Sequence, residues 1–266
     1  MIKVITINIL FELDEWERRR ELLVEGLKAE KPDLIGLQEV QLPEDTSAWL
    51  AERLEMPYVQ LVPYQNNEIP GIPDYGAAIL SRYPFIQQDI LDLHSQGRFA
   101  QRVRVEINGQ SITFCNGHYY WYPGASPERV KQIQRLRDWL GELPPEMPIV
   151  AVGDFNGTPK TRAIAHMKEN YTSAYASHWG KEPEYTCPTP LSRRGWRRWL
   201  RQIILNWKAN KTLKPWRGTL DYIFISSHWQ VRDCRLILTQ PAPFDRTLYP
   251  SDHFGLVADL AIAPEP

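Results

Sequence analysis

The stretch Ile149-Val-Ala-Val-Gly-Asp-Phe-Asn156 sets an apolar run against an abrupt polar end. Ile149–Gly153 has the β-branched content of a strand buried on both faces, and Asp154 and Asn156 stand where it stops. The same arrangement recurs on either side of it. Strand-like runs at Lys3–Asn8 and Leu34–Glu39 end on Asn8 and Glu39, and Ser111–Asn116 leads through Gly117 to His118. Farther on the order inverts: Asp221 stands near the start of Leu220–Ser226, and Asp252 and His253 precede Phe254–Ile262. If the later strands run antiparallel to the earlier ones, all these polar residues fall along one edge of the sheets.

Further strands are expected at Ala77–Ser81, Arg102–Ile107 and Arg235–Thr239, with a tight hairpin at Asn108-Gly109. Two helices interrupt them. Asp14 and Glu17 read as a capping box for a segment carrying Trp16, Leu23 and Leu27, which stops before Lys31-Pro32. Ser126-Pro127 reads as an N-cap with proline in the first turn, followed by Val130, Ile133, Leu136 and Leu140 at helical spacing. Many strands joined by short turns, with few helices, predict α/β layers rather than a barrel of βα repeats. Neither an internal repeat nor a Gly/Ser linker divides the chain, so residues 1–266 read as one domain with a basic, Trp-rich insertion at about 190–217.

The 266 residues are 43% hydrophobic and 24% charged, which excludes disorder, collagen and coiled coil. Apolar runs fall short of the ~20 residues of a membrane-spanning helix. The start, MIKVITIN, lacks the features of a signal peptide, and Cys115, Cys187 and Cys234 form no CxxC pair, so free thiols and a cytoplasmic location, with room for peripheral contact at membranes, are expected. Net charge is −1, yet Arg193–Arg217 holds nine Lys/Arg and no Asp or Glu, leaving −10 on the rest.

Glu39, Asp154, Asp221 and Asp252 offer hard oxygen ligands without thiolate, which suits Mg²⁺ or Mn²⁺ better than zinc. His118 and His253 beside them suit an anionic substrate, since an imidazole next to a carboxylate keeps its proton and can pass it to a phosphate or leaving oxygen. Taken singly, each has a plainer reading as a turn cap, a strand end or a buried imidazole. His94, His166, His178 and His228 have no such neighbours and read as surface residues. The joint occurrence points to phosphoryl chemistry.

In this order the motifs TINI, LQEV (Leu37–Val40), GHYYW (Gly117–Trp121), VGDFNGTP (Val152–Pro159), LDYIF (Leu220–Phe224) and SDHFGL (Ser251–Leu256) resemble the endonuclease/exonuclease/phosphatase superfamily. Its members include pancreatic-type DNases, apurinic endonucleases, neutral sphingomyelinases, inositol-polyphosphate phosphatases and deadenylases. The resemblance spans nearly the whole chain. It implies a DNase I-like, four-layer sandwich of two packed mixed β-sheets flanked by helices, and a Mg²⁺- or Mn²⁺-dependent hydrolase of phosphoric esters. Carried over, Glu39 is similar to the principal metal ligand, with Asn8 and Asp252 near the ion directly or through water. Asp154 is similar to the carboxylate that orients or deprotonates the attacking water, and Asn156 to the amide holding water and phosphate. His253 resembles the donor to the scissile phosphate with Asp221 as its partner, and His118 the strand-end imidazole that acts on phosphate or leaving group. Some nucleases carry an acid two positions after the first Asn; here that position is Leu10, which offers no ligand.

In Gly195–Lys208 the residues Trp196, Trp199, Leu200, Ile203, Ile204 and Trp207 make one helical stripe, with Arg197, Arg198, Arg201 and Lys208 largely off it. Three readings stay open: the stripe packs on the body, it lies on an anionic membrane, or it lines a nucleic-acid groove. Arg197, Arg198, Arg201 and Tyr120 are candidate substrate contacts. No Ser or Cys is read as placed beside a His as a nucleophile, so direct in-line attack of water on a phosphodiester is the leading expectation. The alternative is a catalytically weak binding module that holds a membrane or nucleic acid through the insertion. No segment demands a protein partner.

Overall fold

The computed structural model of the chain describes residues 1–65, 74–193, 200, 203–204, 206–207 and 216–263. In chain order the elements are β1 (Ile2–Asn8), α1 (Trp16–Glu30), β2 (Leu34–Gln41), α2 (Thr46–Leu54), β3 (Tyr58–Pro63), β4 (Tyr75–Ser81), β5 (Gln87–Asp92), β6 (Phe99–Ile107) and β7 (Gln110–His118). There follow α3 (Pro127–Gly141), β8 (Ile149–Asp154), α4 (Arg162–Met167), β9 (Thr172–Ser173), α5 (Ala174–Trp179), β10 (Asp221–Ile225), β11 (Trp229–Ile237) and β12 (Gly255–Ile262). Two six-stranded sheets result, ordered β11-β12-β1-β2-β4-β3 and β5-β6-β7-β8-β10-β9. Each is mixed, with a central parallel pair, β1–β2 in one and β7–β8 in the other.

Strand parity sorts the side chains into layers. Val4, Leu34, Phe114, Val150, Val152, Ile223 and Leu256 meet between the sheets. Their neighbours Ile5, Ile7, Ile35 and Leu37 point outward against Trp16, Leu23 and Leu27 of α1 and Leu50 of α2. On the other sheet Cys115, Ala151 and Tyr222 point outward against Ile133 and Leu136 of α3 and Ile164 of α4. This burial on both faces is why the central strands read as continuous apolar runs. Counted by twos, Asn8, His118, Asp154 and Asp221 all fall on the inter-sheet face at one end of their strands.

Two features hold the sheets close below that end. Gly36 leaves no room for a Cβ, which would meet Val152 Cγ2 at 2.5 Å. Beside it, buried Asn116 donates to the Leu37 and Ala78 carbonyls at 2.9 and 3.0 Å, and Gln38 Nε2 donates to Asn116 Oδ1 at 2.7 Å. These amides sit in an apolar interior where a lost partner is costly, so they fix one inter-sheet register.

Most expected elements form, with local corrections. The hairpin at Asn108 (φ 54°) and Gly109 (φ 76°) joins β6 to β7 with both residues in the left-handed region, as the Asn-Gly pair predicts. Ser126 caps α3 by accepting from Arg129 N–H at 3.2 Å. The capping box on Asp14 does not form: Glu15 occupies the N-cap in a left-handed conformation without a side-chain cap bond. The strand expected at Arg235–Thr239 instead runs Trp229–Ile237 and stops where Leu238 takes φ 59°.

Candidate active site

The strand pairings assemble the site. Asp221 is the direct antiparallel partner of Asp154, and His118 is the parallel partner of Asp154, so β7, β8 and β10 bring three functional side chains abreast. Asn8 ends β1 beside Gln38 of β2. The antiparallel β12 pairs Leu256 with Thr6, which carries Ser251–His253 to the end of β1, where Ser251 Oγ donates to the Asn8 carbonyl at 2.6 Å.

Glu39 arrives by a different device. By parity it would point toward α1, away from the cleft, but the β2–β4 register shifts between Gln38 and Val40, and Glu39 takes φ 62°. This bulge turns the carboxylate, and its Oε2 accepts from Phe11 N–H at 3.2 Å. Leu10 (φ 62°) and Asn156 (φ 49°) are also left-handed, so three residues at or next to the site occupy a region that L side chains seldom adopt.

Asp154 is the hub. Its Oδ1 accepts from Asn156 N–H at 2.9 Å. Its Oδ2 accepts from Asn8 Nδ2 at 3.2 Å and faces His118 Nε2 at 3.5 Å and His253 Nε2 at 3.9 Å. Burial and the adjacent Asp221 push its carboxyl up to about 7, against the relief given by His253, Asn156 and Asn8. Asn156 Nδ2 donates to the Tyr119 carbonyl at 3.1 Å, tying the loop after β8 to the end of β7.

The two imidazoles are in opposite states. His253 is buried, which works against its charge, but Asp221 accepts from Nδ1 at 2.8 Å and raises it well above the ordinary histidine value. Asp221 Oδ2 also accepts from Thr186 Oγ1 at 2.5 Å, while buried Oδ1 meets no partner among the described residues. His118 is pulled well below the ordinary value by burial, by the Arg98 guanidinium and by His253. Its approach to Asp154 is therefore a contact of a neutral ring, not an ion pair. Arg98 Nη1 lies 2.9 Å from His118 Nδ1. A guanidinium only donates, so Nδ1 is the acceptor and the proton sits on Nε2, facing Asp154.

Arg98 was not legible as a site residue. It is 2% exposed, packed against the rings of Tyr64 and Tyr75 at 4.6 and 5.3 Å, and it donates to Tyr75 Oη at 3.1 Å. Thr186 and Cys187 were also missed because they lie in irregular chain between motifs. Contrary to the sequence reading, a cysteine does stand beside a histidine: the Cys187 thiol hydrogen-bonds His253. Burial pushes that thiol up to about 12, so it stays protonated and is no nucleophile.

Tyr120 is half-buried in the loop past β7, its N–H held by Gln132 Oε1 and its carbonyl by Arg129 Nε. Arg197, Arg198 and Arg201 lie outside the described residues, as do Trp196 and Trp199. His94 and His178 are exposed, and His166 and His228 partly so, each with a local partner away from the site.

The donor set fits a hard divalent cation. Glu39 is raised by burial and by the Asp252 charge, and its nearest hydrogen-bonding partners, Asn8 and Phe11, are neutral donors. A second grouping, Asp154, Asp221 and His253, has ligand atoms within 4.8 Å of one another. Carboxyls raised by burial and by neighbouring negative charge, with an Asp221 oxygen that meets no partner among the described residues, are what a cation would relieve.

The profile of the Endonuclease/Exonuclease/phosphatase family matches residues 5–253. Nocturnin of Rattus norvegicus is 26% identical over 283 residues, covering 95% of this chain and 60% of Nocturnin. The 2',5'-phosphodiesterase 12 of Bos taurus is 26% identical over 201 residues, covering 68% of this chain and 31% of that protein. The chain thus spans less than two thirds of the length of these relatives. Among solved structures, the human Nocturnin catalytic domain with bound sulfate anion aligns with TM-score 0.73 at 24% identity, covering 98% of this chain and 93% of that one. D. rerio TDP2 complexed with single strand DNA product aligns with TM-score 0.75 at 18% identity, covering 98% of both. At these identities the structural likeness is one of fold, the four-layer arrangement of two mixed sheets between helices.

Proposed function

The chain belongs to the endonuclease/exonuclease/phosphatase family, and on that premise we propose that it hydrolyses phosphodiesters by direct in-line attack of water, assisted by Mg²⁺ or Mn²⁺. The observation that carries the reading is the convergence on Asp154 Oδ2 of Asn8, a neutral His118 and a His253 charged by Asp221. Two titratable groups of one kind driven to opposite states are the mark of divided acid and base roles. The similarity to 2',5'-phosphodiesterase 12 and the likeness in fold to TDP2, seen with its single-strand DNA product, favour a diester.

Glu39, Asn8 and Asp252 would hold the cation. When bound, it supplies positive charge against a non-bridging phosphate oxygen. The protein does the rest. Asp154, raised to about 7, is poised near neutrality to take a proton from water, with Asn8 and Asn156 fixing its two oxygens. His118 presents Nε2–H as an uncharged donor that orients phosphate. His253, kept protonated by Asp221, donates to the charge that develops on the ester and to the departing oxygen. Thr186 holds Asp221 in place for that task. Protonated Cys187 offers no competing nucleophile, which supports water as the attacking group.

The test is hydrolysis of bis(p-nitrophenyl) phosphate by the purified chain with Mg²⁺, with Mn²⁺ and in excess chelator. Turnover is expected with metal only, with Glu39→Ala and Asp154→Asn each losing ~10²-fold or more. Full rates in chelator or in either folded variant would overturn the reading.

A further inference from the structure

The structure leaves apolar side chains in water where a packed domain would hide them. Leu200, Ile203, Ile204, Asn206 and Trp207 are helical, and Leu200, Ile204 and Trp207, at spacings i, i+4 and i+7, are 41%, 44% and 51% exposed. Asn206, not the apolar side, is the buried one, at 6% exposure. Of the described members of the stripe, Leu200, Ile204 and Trp207 are thus exposed and Ile203 is half-buried.

A second element presents the same chemistry. Phe244 is 100% exposed. It is not on a frayed end: Ala242 and Asp245 bracket it in an isolated bridge, Ala242 N–H donates to Leu248 O at 2.7 Å, and Asp245 Oδ1 accepts from Thr247 N–H at 3.0 Å. Pro243 on one side and exposed Arg246 on the other complete a preformed turn with an aromatic tip.

Both elements have a common root. Leu191, at the base of the insertion, packs with Leu248 and Ala242 of the turn and with Leu10, two residues past Asn8. The turn itself runs on into Ser251, Asp252 and His253. The turn that carries Phe244 and the base of the insertion therefore both stand beside the rim where the candidate site opens.

We propose that this rim docks on an anionic lipid bilayer, with Phe244, Leu200, Ile204 and Trp207 entering the interface. Charge selects that partner. Residues 193–217 carry nine Lys/Arg and no acid against −10 on the remainder, so an anionic surface attracts this segment of the chain and repels the rest. The kind of apolar group selects a bilayer over a nucleic acid. Bases stack on aromatic rings and have no use for Leu200 and Ile204, whereas an acyl layer takes aliphatic and aromatic groups together. The surface is independent of the catalytic reading, because none of these residues belongs to the site.

The test is co-sedimentation of the full chain with phosphatidylcholine vesicles, with and without phosphatidylserine, at low and high salt. Binding is expected only with phosphatidylserine and is expected to weaken with salt. Phe244→Asp, or Leu200→Asp with Ile204→Asp, is expected to lower the partition coefficient about tenfold or more. Bis(p-nitrophenyl) phosphate turnover and the melting temperature, which report folding, should stay unchanged. Phe244→Ala serves as the milder variant if an Asp variant unfolds. Failure of the wild-type chain to sediment with phosphatidylserine at low salt would overturn the proposal. So would folded variants that still bind, or variants that lose binding to a single-stranded oligonucleotide while keeping the vesicles. Loss of turnover in the wild-type chain would count against the phosphodiesterase reading alone.

Discussion

The Arg98–His118 pair shows how much one buried side chain decides. A guanidinium 2.9 Å from Nδ1 leaves that nitrogen no option but to accept, which places the ring proton on Nε2 and disfavours the imidazolium at the same time. Without Arg98 the ring would be free to exchange tautomers and to charge. Arg98→Met keeps most of the volume between Tyr64 and Tyr75 and removes only the donor and its charge. In this variant His118 is expected to titrate at a higher pH than in the wild type, because a positive neighbour has gone, and kcat to fall about 10–100-fold with little change in stability. Histidine NMR titration reads the first effect and phosphodiester turnover the second. A His118 titration that stays put would mean that burial and His253 depress it without help from Arg98. Arg98 escaped the sequence because it precedes a strand expected only from Arg102, and nothing local marks a residue whose partner lies 20 positions on in the neighbouring strand.

At the scale of elements, the polar ends of buried strands were readable because two-sided burial makes any polar residue there conspicuous. Asn8, His118, Asp154 and Asp221 share one parity and one end, which is a property of sequence period and strand direction together. Glu39 obeys neither, and only the bulge in β2 aims it inward. Edge strands β3 and β5 went unread for a related reason: their alternating exposure leaves too few apolar residues to stand out. Short helices α2, α4 and α5 lack the repeated stripe that marked α3. The β7–β8 contact carries a sharper demand. Gly153 has φ 147°, and a Cβ there would meet the Gly117 carbonyl oxygen at 2.0 Å, a backbone atom that cannot rotate away. Gly153→Ala is expected to cost about 2–4 kcal/mol and to lower turnover of the folded fraction by prising His118 from Asp154. Gly109→Ala, at φ 76° with open space around it, should cost about 1 kcal/mol and leave turnover intact. Urea unfolding with parallel rate measurements separates the two; equal effects on turnover would sever the link between strand spacing and site geometry.

For the whole molecule, the site is a store of electrostatic strain that pH and cations can release. Asp154 and Glu39 are raised above their unfolded values, so in the native state they hold protons that the unfolded chain has shed. Their contribution to stability is fully present below the unfolded carboxylate pKa and is lost as pH rises through the folded value, about 7 for Asp154. His253, raised as well, has the same sign above the ordinary histidine value. His118, depressed, has the opposite sign, but its contribution is lost only as pH falls below that ordinary value, about 6.5. Between about pH 6.5 and 8, then, Asp154 and His253 pull one way without opposition from His118, and the metal-free protein should melt at lower temperature as pH rises. A divalent cation competes with those protons, so its stabilisation must run the other way, larger at pH 8 than at 6.5. Calorimetry of chelator-stripped protein with and without Mg²⁺ at the two pH values measures both slopes without reference to turnover. A cation effect that is equal at both, or larger at the lower pH, would mean that the ion binds away from these carboxylates, and Glu39→Ala, which removes the proposed ligand, should then leave that effect untouched.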